Sequence, residues 1–270
     1  MSATATEQDA TDAVTQWRAG HISDPVRLAP RLSGAGYQRL LAATHRDLKP
    51  RTYFEIGTRL GDSLKWATCP SVAVDPVFRL PEGFVEARPR LQLFSMTSDE
   101  FFRRHDLTEC LGGPVDLAFL DGLHRFEFLL RDFMNTERHC HAQSAILLHD
   151  CVPTTSEIVR REQNGPREAA FDVMPRAWAG DVWKLMPILR RYRPDLKITA
   201  FDATPTGLVF VTRLDPASTV LRDRYEDIVA EFMEADIAAI GVSAFVAGLA
   251  LNSADAALAA GRLPAMIAPA

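Results

Sequence analysis

The sequence predicts an α/β protein: a doubly wound, mainly parallel, seven-stranded sheet that ends in an antiparallel hairpin, with helical N- and C-terminal extensions. Three observations carry this expectation. Short apolar runs alternate with helical stretches from about residue 51 to about residue 215, the rhythm of βαβ units. The first run, Tyr53-Phe54-Glu55-Ile56, opens into Gly57-Thr58-Arg59-Leu60-Gly61-Asp62-Ser63-Leu64, a glycine-bearing turn of the kind that brings a ligand against backbone N–H groups. The last two runs, 197–201 and 207–211, are joined by a Pro205-containing link too short for a helical crossover, so they should pair as a hairpin.

Residues 1 to about 12 are small and polar and read as a fraying tail. A helix is expected over 12–19, then a loop punctuated by Pro25 and Pro30, then a helix at 37–43 against the sheet edge. After the first strand and its turn come a short helix over 62–67 and a second strand, Ser71-Val72-Ala73-Val74-Asp75. Residues 91–96 alternate as a third strand, and Thr97-Ser98-Asp99-Glu100 supplies the hydroxyls and acids that start a helix. The fourth strand is 115–121, followed by an amphipathic helix over 126–139. The fifth, 144–150, is so continuously apolar that both of its faces should be covered.

Residues 154–180 break the rhythm. They are polar and charged, carry Gly165, Pro166, Pro175 and Gly180, and read as a long insertion or lid after the fifth strand. A helix from 180 to 192 leads to the hairpin. Beyond it the chain is helical, with an amphipathic stretch at 220–233 and an apolar one at 237–251. The apolar stretch is shorter than the roughly twenty residues that cross a bilayer, so no membrane partner is expected. The chain thus divides into an N-terminal tail and helices (1–50), a ligand-binding core (51–215) and a C-terminal helical extension (216–270), a candidate surface for homo-oligomerisation.

At 270 residues the chain can bury a substantial core, and its 47% hydrophobic and 24% charged residues are those of a globular protein. A net charge of −5 offers no general attraction for nucleic acid. Cys69, Cys110, Cys140 and Cys151 form no C-x-x-C pair and follow no apolar leader, so they read as reduced thiols of a cytoplasmic protein.

Asp75 ends the second strand about twenty residues past Glu55, the interval at which nucleotide-binding units place a carboxylate on a ribose hydroxyl. The dinucleotide pattern G-x-G-x-x-G fails, because its second and third glycine positions hold Arg59 and Asp62. An aspartate there would repel a pyrophosphate, which points to a nucleoside without a phosphate chain. An NAD-dependent oxidoreductase is disfavoured on the same ground.

With its Glu55-x-Gly57 turn and Asp75, the chain resembles the class I S-adenosylmethionine-dependent methyltransferases over roughly residues 50–213. Phe119-Leu120-Asp121-Gly122-Leu123-His124 and Leu147-Leu148-His149-Asp150 are similar, more narrowly, to the bacterial branch of macrocin-type O-methyltransferases and cephalosporin-hydroxylase-like proteins. The resemblance implies S-adenosylmethionine as cofactor and a small-molecule hydroxyl as acceptor. It also implies that Gly57 and Gly61, with Ser63 beside them, meet the methionine half, that Glu55 answers its ammonium, and that Met96, Ser98 and Asp121 line the cofactor site.

In a doubly wound sheet the residues just past the strand C-termini share one crevice. Glu55, Asp75, Asp121, His124, His149 and Asp150 all fall there, and burying so many titratable groups is costly unless they serve a function. Two chemistries are open. Asp121 and Asp150, with His149, could hold a divalent ion such as Mg²⁺ that orients an acceptor and favours its deprotonated oxygen. The resembled metal-dependent enzymes carry an acid followed by Asn or Asp at the end of the fifth strand, whereas here His149-Asp150 is followed by Cys151. Without a metal, His124 or His149 becomes the general base. Arg131, Asp132 and Asn135 read as the solvent face of the following helix, and Trp183 and Lys184 as core or pocket closure. The competing function class is a non-catalytic nucleoside-binding scaffold of the same fold.

Overall fold

The computed structural model describes residues 14–88, 90–261, 263 and 265. The expected tail over 1–12 lies outside the described residues, as does residue 12, where the first helix was expected to start; α1 is seen over 14–18.

The main sheet contains β2 (Tyr53–Ile56), β3 (Ser71–Val74), β4 (Leu91–Phe94), β5 (Val115–Leu120), β6 (Cys140–His149), β7 (Lys197–Phe201) and β9 (Leu208–Thr212). Its seven strands run in the order β4-β3-β2-β5-β6-β9-β7. The first five are parallel, and β9 is antiparallel to both β6 and β7. The predicted hairpin is therefore present, with β9 inserted between β6 and β7.

The alternation of side chains along each strand sorts the core into two layers. Phe54, Ile56, Val72, Val74, Ala118 and Leu120 face one side. Helices α3 (Ser98–Arg104), α4 (Leu107–Leu111), α5 (Phe126–Glu137) and α6 (Leu185–Tyr192) cover it through residues such as Phe101, Leu107, Leu130, Phe133 and Ile188. Tyr53, Ala73, Phe119, Leu147 and Phe210 face the other side, under α2 (Tyr37–Leu48) and α11 (Ala254–Ala260). Phe54 is fully buried against Phe101 and Phe102. Truncating it to alanine would cost about 3–5 kcal/mol.

Several boundaries differ from expectation for local reasons. The helix expected over 62–67 is only a 3₁₀ turn, Leu64–Trp66, because the chain reaches it through Arg59 and Gly61 at positive φ. The stretch 220–233 is two helices, α7 (Val220–Asp223) and α8 (Tyr225–Phe232), and 237–251 is also two, α9 (Ile237–Ile240) and α10 (Val242–Gly248). Gly241, at φ +87, separates the second pair. Ile228, Ile237, Val242 and Val246 from these helices pack into the core of the main sheet. Helix α3 begins as expected, with the Thr97 hydroxyl accepting from Glu100 N at 3.2 Å.

A second, two-stranded sheet was not foreseen: β1 (Gly34–Gly36) pairs in parallel with β8 (Ala203–Thr204). It ties the N-terminal segment to the link between β7 and β9. The insertion over 154–180 has no long regular element but is fastened at several points. Leu28 bridges Thr155, Ala179 N donates to Ile158 O at 2.8 Å, Trp178 Nε1 donates to Arg160 O at 2.6 Å, and Ile158 and Val173 are buried.

Candidate active site

The glycine turn leaves β2 beside the ends of β3 and β5. Gly57 has φ +89, and a Cβ there would lie 1.8 Å from the Asp121 carbonyl oxygen, so only glycine lets the two strand ends approach. Gly61 is pressed in the same way by Leu80 and Phe84. Both glycines thus have a packing requirement in addition to the cofactor role expected of them.

Glu55 is fully buried; it accepts from the Tyr53 hydroxyl at 2.6 Å and from Ser63 Oγ at 2.9 Å. Burial pushes its carboxyl up to about 7, because these hydrogen bonds only partly offset the loss of water. Ser63 therefore acts here as a partner of Glu55. Asp75 accepts from Arg59 N at 2.8 Å and from Val77 N at 2.7 Å, bracing the turn whose ligand it was expected to meet. Met96 is half-buried against the core. Ser98, the first residue of α3, hydrogen-bonds Asp132. Asp132 is not on a solvent face. It is buried beneath Gly122, and burial pushes its carboxyl up to about 7.

The fourth and fifth strand ends bring four groups together as expected. His149 Nδ1 lies 3.2 Å from Asp121 Oδ1 and 3.4 Å from Asp150 Oδ1. His124 reaches across them, with Nε2 3.4 Å from Asp121 Oδ1 and Nδ1 3.3 Å from Asp150 Oδ2. Asp150 takes the left-handed backbone at φ +60, which is uncommon outside glycine, and accepts from the Thr206 hydroxyl. His149 Nε2 is buried without a hydrogen-bond partner among the described residues.

The electrostatics follow from this interleaving. Burial alone would lower the His124 pKa, but the hydrogen bond to Asp121 and the charge of Asp150 outweigh it and raise it to about 9. The same opposition, burial against Asp150 and Asp121, leaves His149 raised well above its ordinary value. Burial would raise Asp121, but His149 and His124 hold it below the usual carboxylate range. The expectation of an imidazole base with a near-neutral pKa is therefore corrected: without another cation, both rings are held protonated at neutral pH.

Asp121, His124 and Asp150 each offer one ligand atom within 4.8 Å of the others, which adds His124 to the residues expected to hold a metal. Tyr37, Trp178 and Thr206 were missed altogether. The Tyr37 ring sits 4.1 Å from that of His149, and Trp178 stacks on His124 at 5.0 Å while its carbonyl lies 2.9 Å from His124 Nδ1. No local motif marks these residues, since each reaches the site through a connection remote in sequence.

Residues 33–151 match a family model described as "Methyltransferase domain". The sheet finished by an antiparallel pair and the acid-x-Gly turn agree with that match. Among solved structures, the chain is similar to the O-methyltransferase TomG from Streptomyces achromogenes, involved in tomaymycin synthesis and solved with SAM. The two are 14% identical, with 79% of this chain and 92% of that one covered and a TM-score of 0.46. It is also similar to the SAH-bound Podospora anserina methyltransferase PaMTH1, at 14% identity, 78% and 89% coverage and a TM-score of 0.45. A third is the O-methyltransferase from Bacillus cereus in complex with SAH, at 14% identity, 77% and 92% coverage and a TM-score of 0.41. Likenesses this weak carry no residue role or substrate over to this chain. No curated protein matches the sequence.

Proposed function

We propose that the protein transfers a methyl group from S-adenosylmethionine to a hydroxyl oxygen of a small molecule. The observation that carries this reading is the Asp121, His124, His149 and Asp150 cluster, set at the strand ends beside the Gly57 turn. An acceptor hydroxyl placed there meets both fixed negative charge and fixed proton donors. The glycine turn and Asp75 are the residues that would hold the cofactor, whose contribution is an electrophilic methyl on a sulfonium sulfur. In the transfer, the acceptor oxygen would form a bond to the methyl carbon as the carbon–sulfur bond broke with its pair left on sulfur, and the hydroxyl proton would leave to water, since both imidazoles already carry a proton. Positioning and exclusion of water supply most of the rate.

A divalent ion is the finer part of the proposal. Two carboxylates and an imidazole within 4.8 Å fit a cation with mixed oxygen and nitrogen ligands, such as Mn²⁺ or Zn²⁺, better than Mg²⁺. Such an ion, when bound, would favour the deprotonated acceptor oxygen. A cytoplasmic location is supported by the four free cysteines, two of them buried.

The test is turnover of methyl-labelled S-adenosylmethionine against a panel of phenols, catechols and sugars, with release of S-adenosylhomocysteine measured. Label in an ether product supports the reading. Tight cofactor binding without turnover on any hydroxyl would favour the scaffold.

A further inference from the structure

A cavity of about 450 Å³ lies between the N-terminal segment, the insertion over 154–180 and the link that follows β7. Its apolar lining comes from Trp17, Leu32, Val173 and Met174, and its cations are Arg18 and Arg31. Trp17 is fixed by a 2.9 Å hydrogen bond from Nε1 to Ala29 O, and the Arg31 guanidinium sits 6.0 Å from the ring centroid. Other arginines are tied down: Arg27 to Glu157 and Glu168, Arg161 to Glu127 and Asp181, Arg167 to Asp172. Arg18 and Arg31, both exposed, have no such acid among the described residues.

Three of the cavity walls are joined to the cluster by a few residues of chain. Pro205, in one wall, precedes Thr206, whose hydroxyl donates to Asp150. Thr154, in another, lies four residues beyond Asp150. The N-terminal wall at Leu32 continues through β1 into Tyr37, which lies against His149. In a chain of net charge −5, two guanidiniums with no acid partner among the described residues, over an apolar floor, select for an anion attached to an apolar body.

We propose that this cavity is the acceptor subsite, and that it takes a hydroxyl compound with an aromatic or apolar body and an anionic group, carboxylate or phosphate ester, held by Arg18 and Arg31. The proposal rests on the O-methylation reading and names its substrate class.

The test is calorimetric titration of the full chain with 3,4-dihydroxybenzoate, with catechol, which lacks the carboxylate, and with phenyl phosphate. At least one anion should bind about tenfold or more tightly than catechol, and the two anions separate carboxylate from phosphate. The double variant R18Q/R31Q should lose that preference while its affinity for catechol and for S-adenosylmethionine is unchanged. R39Q, which removes an exposed arginine outside the cavity, should keep it. Equal binding of all three probes, no binding of any at millimolar concentration, or a preference that survives R18Q/R31Q would overturn the proposal. An arginine-dependent preference in a protein that methylates no hydroxyl would leave an anion site at Arg18 and Arg31 but overturn both its role as acceptor subsite and the O-methylation reading.

Discussion

The ring of Tyr37 lies against the imidazole of His149, with centroids 4.1 Å apart and planes inclined by 41°. Tyr37 opens α2, directly after the short strand β1, so the contact couples the N-terminal segment to the fifth strand end. A protonated imidazole over an aromatic face gains about 0.5–2 kcal/mol. Tyr37→Phe should keep methyl transfer within about threefold, whereas Tyr37→Ala should lower kcat about tenfold or more by releasing the ring it positions. Steady-state kinetics on the two variants decide; equal rates for both would make Tyr37 a packing residue only.

Asp75→Ala should weaken S-adenosylmethionine binding by about 1–3 kcal/mol, the scale of a lost charge-assisted hydrogen bond. Because Asp75 also braces Arg59 N and Val77 N, the variant should show a lowered melting temperature even without cofactor. Asp75→Asn, which keeps an acceptor oxygen, should recover part of the stability. Unchanged affinity in calorimetry would remove Asp75 from the cofactor site.

A divalent ion at Asp121, His124 and Asp150 should stabilise the protein by roughly 1–3 kcal/mol at concentrations well above its dissociation constant. Mn²⁺ or Zn²⁺ should act more strongly than Mg²⁺ because of the imidazole ligand. Asp121→Asn and His124→Ala should each abolish the effect. Thermal melts with EDTA and with each ion provide the measurement, and activity that survives EDTA with no shift in melting temperature would exclude the metal.

The buried Asp132 predicts a pH dependence of stability. Its folded pKa, about 7, lies above the ordinary aspartate value, so the folded state holds a proton that the unfolded chain has already released. The stability tied to this proton is complete below about pH 4 and is lost as pH rises to about 7, at roughly 1 kcal/mol per pH unit. Asp132→Asn should flatten that part of the profile. Urea melts of both proteins between pH 4 and 8 check this, and parallel profiles would show that Asp132 is not protonated in the fold.

The insertion over 154–180 should exchange its amide hydrogens unevenly. Protection is expected without ligand around Ile158, Val173 and Ala179, which are buried, and ligand-dependent protection over the exposed stretch 162–168. Exchange that ignores ligand throughout would make the segment a fixed cover and end its reading as a lid.

The main architecture was determined by the sequence itself. The sheet could be read because a parallel strand covered on both faces must be a short, continuous apolar run, and because a link around Pro205 leaves no room for a crossover. The acids and histidines at the strand ends were legible for the same reason: once the strands are known, their C-terminal ends share one edge. Tertiary structure alone decided what those groups meet. Tyr37, Trp178 and Thr206 reach the cluster from three separate segments, and neither pattern nor spacing announces a contact made between distant parts of the chain. Asp132 read as a solvent face because a lone acid on an amphipathic helix normally is one, and its burial beneath Gly122 depends on how α5 is rotated against the sheet. The pKa values of His124 and His149 could not be inferred from type, because they are set by distances of 3.2–3.4 Å to two carboxylates that only the folded chain brings together.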